Sequence, residues 1–136
     1  QCVLAALQDV LGVGDDALFK ASHALSAGGA VTTTGSCGAL VGALLAVSSV
    51  HGRERTAFAD GPHHECFEQG KRVIDAFVAE FGSPLCADVQ TLLMGRSFNM
   101  WDEDDFAAFE AAGGHTDKCT RVVATAARIA AEVLQP

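Results

Sequence analysis

The chain has 136 residues, 49% of them hydrophobic and 19% charged, which suits one globular domain and argues against a disordered segment. Its 17 acidic residues against 9 Lys plus Arg give a formal net charge of −8. That is the wrong sign for holding phosphate backbones, so nucleic acid is not expected as a partner. The stretch 21–52 lacks Asp, Glu, Lys and Arg, but its strongly apolar part, 37–50, is shorter than the ~20 residues that cross a bilayer, and no membrane span is expected. Gln1 is not an initiator Met, so the natural start is expected upstream, together with any targeting segment. The cytoplasm is the expected compartment, with the periplasm left open.

Ala, Leu and Val recur at helical spacing, Tyr is absent and no window alternates apolar with polar, so the chain reads as all-α. The expected architecture is a single compact bundle of five or six helices around a central apolar helix. The first helix covers 2–11 and stops at Gly12-Val13-Gly14. A second follows Asp15 and Asp16 and fades before Gly28-Gly29. The loop Thr32-Thr33-Thr34-Gly35-Ser36 leads into a helix over 37–50 that is apolar on every side and therefore belongs at the centre. Its Gly38, Gly42 and Ala46 form one smooth face on which another backbone, or a cofactor, can lie close.

Residues 51–62 read as a loop between helices. A helix over 64–81 carries Phe67, Val73, Ile74, Phe77, Val78 and Phe81 on a broad apolar face and ends at Gly82. Ser83-Pro84 suits the start of another helix, to about 94. Trp101-Asp102-Glu103-Asp104-Asp105 opens a short helix through Ala112, its acids read as a solvated helix start. Gly113-Gly114 breaks the chain before a last helix over 116–134.

Five cysteines stand at positions 2, 37, 66, 86 and 119 with no C-x-x-C and no C-x-x-C-H among them. Any joint site must therefore be assembled by the fold. Three of them share an upstream residue type: Thr34-Gly35-Ser36-Cys37, Ser83-Pro84-Leu85-Cys86 and Thr116-Asp117-Lys118-Cys119. With Ser or Thr as N-cap, each cysteine falls in a first helical turn, where free amides and the positive dipole end favour thiolate. Cys66 lacks that residue, and its Pro62-His63-His64-Glu65 approach reads as a polar loop more than as a zinc or copper ligand set. His115 lies close enough to the third of these helix starts to act as a fourth ligand or a donor to one, although a solvated helix-start histidine is the preferred reading. His23 and His51 read as ordinary helix residues.

At Cys37-Gly38-Ala39-Leu40-Val41-Gly42 the chain resembles the redox-active family named for its C-GCAxxG-C-C pattern. Cys2 opening a helix, the glycine-rich loop 28–35, and the single Cys86 and Cys119 extend the likeness over nearly the whole chain. The resemblance implies a small helical protein whose four cysteines, Cys2, Cys37, Cys86 and Cys119, form a redox centre, with the motif glycines Gly38 and Gly42 beside the cofactor. A similar domain in split-Soret cytochromes suggests an iron–sulfur cluster, [2Fe–2S] or [4Fe–4S]. The haem part does not carry over, because no C-x-x-C-H is present. Cys66 falls outside the pattern.

The leading expectation is an electron-transfer protein holding such a cluster on four thiolates, with a redox protein as partner and a homodimer left open as the assembly. A thiol–disulfide oxidoreductase using the same cysteines, or a structural zinc protein, are the alternatives. No Ser-His-Asp, P-loop or paired-carboxylate pattern points to hydrolysis or phosphate chemistry.

Overall fold

Apolar spacing and glycine stops set most of the helices found in the computed structural model, which describes residues 1–135. There are seven α-helices: α1 (Cys2–Leu11), α2 (Asp16–Ala21), α3 (Gly38–His51), α4 (His64–Phe81), α5 (Cys86–Met94), α6 (Glu103–Ala111) and α7 (Cys119–Leu134). Tight 3-10 turns at His23–Leu25 and Arg55–Asp60 and a wide π turn at Gly114–Lys118 fill parts of the connections. The chain is all-α, as its composition indicated, with seven α-helices among the described residues where five or six were expected in all.

Helix α3 packs on α1, α4 and α7, and α7 in turn contacts α1 and α4. Leu40, Ala43, Ala46 and Val47 of α3 are almost completely buried, so the helix without a polar side becomes the bundle centre. Against it stand Val3, Leu4 and Leu7 of α1, Val73 and Phe77 of α4, and Val122, Ala126 and Ile129 of α7. Among the described residues no helix is long and apolar enough to cross a membrane.

The apolar face of α4 is narrower than its sequence suggests. Val73, Phe77 and Phe81 are buried, whereas Phe67 is 62% and Ile74 37% exposed. The covered row is the four-residue repeat through 73, 77 and 81, with Leu44 of α3 crossing Gly70 in the same row. Phe67 and Ile74 fall to one side of that row, beyond the neighbouring helices.

Two helix starts also differ from expectation. Leu85 is extended and pairs with Ser36 in an isolated antiparallel bridge, so α5 begins at Cys86 and not at Pro84. At the other, the N–H groups of Thr116, Asp117 and Lys118 all turn back to the Gly113 carbonyl, at 3.2, 3.1 and 3.0 Å. This π turn occupies the predicted first turn of the last helix and delays α7 to Cys119.

Candidate functional site

Four cysteines open four helices. Cys2, Cys86 and Cys119 are the first residues of α1, α5 and α7, and Cys37 is itself the N-cap of α3. The expected capping by Thr34, Ser83 and Thr116 does not occur, because each cysteine sits nearer its helix start than the pattern required. Thr34 bonds Thr32, and Ser83 Oγ accepts the Leu85 N–H at 3.1 Å while donating to Asp88. Thr116 lies inside the π turn.

Backbone pairing explains why Cys37 and Cys86 are neighbours although far apart in sequence. The Cys37 N–H donates to the Pro84 carbonyl at 2.8 Å and the Cys86 N–H to the Gly35 carbonyl at 3.0 Å. These two bonds flank the Ser36–Leu85 bridge and hold two helix starts side by side. Cys2 is anchored separately. The Gln1 side chain donates to the Phe19 carbonyl at 3.1 Å and meets His23 Nδ1 at 2.9 Å, fixing the start of α1 against the α2 region.

These four cysteines line one cavity of about 360 Å³. Gly38, Gly42 and His115 line it as well. Cys66 is not among its wall residues; its sulfur lies on α4, 3.9 Å from Ser48 Oγ. Its neighbours His63 and His64 are exposed. Among the described residues no three His, Cys, Asp or Glu side chains gather tightly enough to hold a single ion.

The small-residue face of α3 does two jobs. A Cβ on Gly38 would stand 3.0 Å from the Ala27 nitrogen and 3.2 Å from Ser26 Cα, so this residue lets a loop backbone lie on the helix. A Cβ on Gly42 would stand 3.1 Å from Cβ of Val3, which adjoins Cys2. Gly42→Leu is therefore expected to push α1, and Cys2 with it, off the cavity at about 1–3 kcal/mol. Circular dichroism should still report a helical protein, and alkylation of the buried Cys37 in the opened cavity should become markedly faster; an unchanged rate in the folded variant refutes the expectation.

Charge at the site runs against the helix-start argument. The Ala39 and Leu40 amides favour a thiolate on Cys37, but burial outweighs them and raises its pKa. Burial pushes Cys86 up to about 12, helped by any negative charge on Cys37 or Cys119. Cys119 rises to about 11, first through burial and then through Cys37. These mutual effects place the three sulfurs within electrostatic reach of one another. The thiols hold their protons at neutral pH, contrary to the thiolates expected from helix position alone.

His115 stands in the π turn, paired with Glu110 and edge-on to Phe109 at 5.1 Å between ring centres. The acidic start of α6 is structural: Asp102 caps the helix through the Asp105 N–H at 2.9 Å, and Asp105 accepts from Arg96 at 2.6 Å.

Three features of the cavity wall escaped the sequence reading. Gln90, only 2% exposed, approaches the Cys86 sulfur from the next turn of α5. Phe109 forms a buried aromatic wall. The loop beside Gly38 places Ala27, Ala30, Val31 and Thr33 at positive φ, a rare conformation for a β-branched residue such as Val31. Trp101 Nε1 holds that loop by donating to the Ala30 carbonyl at 3.1 Å. A polar residue four positions after Cys86, on an otherwise apolar helix face, was the available signal for Gln90.

A family model described as "Putative redox-active protein (C_GCAxxG_C_C)" matches residues 1–133. No curated protein and no solved structure matches the chain.

Proposed function

The chain belongs to the C_GCAxxG_C_C family of redox-active proteins, and on that premise we propose that it is an electron-transfer protein binding an iron–sulfur cluster through Cys2, Cys37, Cys86 and Cys119. The observation that carries this reading is the placement of four helix-start cysteines around one cavity. The donor set fits the group, since four thiolates are the usual ligands of [2Fe–2S] and [4Fe–4S] centres. The usual structural zinc site draws on closely spaced ligand pairs, and no C-x-x-C is present here. When bound, the cluster supplies a one-electron redox couple that no side chain of this protein provides.

The protein's own residues have separable tasks. The Gly35–Cys86 and Cys37–Pro84 backbone bonds set the spacing of two ligands independently of their side chains. Burial of Cys86 and Cys37 limits water at the centre, and Cys2, which is exposed, marks the side open to solvent. A redox protein is the partner this arrangement calls for.

Protein purified without oxygen should be brown and contain iron and acid-labile sulfide. A colourless protein containing zinc, or a metal-free one with four titratable thiols at the cavity, overturns the proposal. Cys66→Ser should leave iron content and thermal stability nearly unchanged, because Cys66 stands away from the cavity wall. Iron loss comparable to that of Cys37→Ser would show that the ligand set is wrong.

A further inference from the structure

Gln90 is a buried polar side chain on an apolar helix face, and its amide is fully engaged. Its Oε1 accepts the Phe98 N–H at 2.9 Å, and its Nε2 approaches the Cys86 sulfur at 3.8 Å. The first bond fixes the second, since a flipped amide would point NH2 at the Phe98 N–H. Phe98 cannot easily yield: it is 4% exposed, covered by the Arg96 guanidinium at 3.9 Å and set edge-on to Phe109 at 5.7 Å. The chain thus aims a buried side-chain hydrogen-bond donor at the Cys86 sulfur.

We infer that Gln90 is a positioning residue whose hydrogen bond to Cys86 raises the reduction potential of the centre held there. The potential rests on the cluster reading; the hydrogen bond does not. When one electron enters the centre no bond forms or breaks, and the added negative charge spreads onto the ligating sulfurs. A donor at a sulfur stabilises that state over the oxidised one.

Two variants separate orientation from donation. Gln90→Glu keeps an oxygen for the Phe98 N–H and removes the donor; Gln90→Met removes both at similar volume. In dithionite titrations of the iron-loaded protein, with mediator dyes, both should be harder to reduce. At the poise where the wild-type protein is half reduced, their reduced-to-oxidised ratio should fall about three- to tenfold. An unchanged ratio in either loaded and folded variant overturns the inference.

A second arm needs no cluster. In metal-free protein at pH 8, peptide mapping should show Cys86 alkylated by iodoacetamide about three- to tenfold more slowly in the uncharged Gln90→Met than in wild type. Cys119 should keep its rate. Equal Cys86 rates refute the hydrogen bond itself. Absence of iron together with a slowed Cys86 would sink the cluster and leave Gln90's action on the thiol standing.

Discussion

Gly114→Ala is expected to destabilise the protein by about 3 kcal/mol, the upper part of the range for overfilling a packed interior. A Cβ at this position would stand 2.2, 2.3 and 2.5 Å from three edge atoms of the Phe109 ring. That ring is 2% exposed and boxed in by Phe98, Phe106 and His115, at 5.7, 6.2 and 5.1 Å between ring centres. Either the ring leaves this stack and enters the cavity it lines, or the π turn moves and carries the start of α7 with it. The melting temperature should drop by roughly 10 °C for a domain of this size. Adding Phe109→Leu should recover part of the loss, a non-additivity expected only if the two groups collide. A Gly114→Ala protein melting within about 2 °C of wild type excludes the collision.

The metal-free protein should also lose stability steeply in alkali. A thiol in the unfolded chain ionises near 9.0, whereas folded Cys86 keeps its proton to about 12 and Cys119 to about 11. Below pH 9 both states are protonated and these groups leave the balance unchanged. Between 9 and 12 the unfolded chain releases protons that the folded one retains, so stability falls as pH rises. For Cys86 alone the full effect is on the order of 4 kcal/mol, a large share of the ~5–15 kcal/mol that holds a domain together. Part of it depends on charge at Cys37 and Cys119, so the contributions do not simply add. Urea midpoints by circular dichroism at pH 7.5 and 10.5 should diverge strongly in wild type and much less in Cys86→Ala. Equal divergence in both would show that Cys86 is not the group responsible.

Local signals carried the sequence reading where structure is local. The ends of α1 and α4 fall where Gly12 and Gly82 adopt left-handed caps, and the fully apolar run became the central α3. The cysteines were placed correctly at helix starts but attributed to the wrong caps. Ser83 does bond locally, yet the extended pairing of 84–86 with 35–37 overrides its propensity to start a helix. That pairing links segments with no common motif, so spacing could not reveal it. Thiol ionisation failed for a related reason. The helix dipole is legible from position, whereas the depth of burial that outweighs it is a property of the packed bundle. Gln90 was passed over because its role appears only once Phe98 folds back over α5.

The brace between Ser36 and Leu85 has a kinetic corollary. Each wall of the cavity comes from a different stretch of the polypeptide, from the first turn at Cys2 to the last helix beginning at Cys119. Bringing such distant stretches together costs chain entropy that no early helix recovers by itself, which slows the step relative to local helix formation. During synthesis the cysteines at 2, 37 and 86 leave the ribosome before the fourth, and the contacts of α7 with α1 and α3 form only after it emerges. A nascent chain truncated before Cys119 should therefore expose reactive thiols that the finished bundle covers. The set of four cavity cysteines is complete only once Cys119 and the helix it opens have emerged.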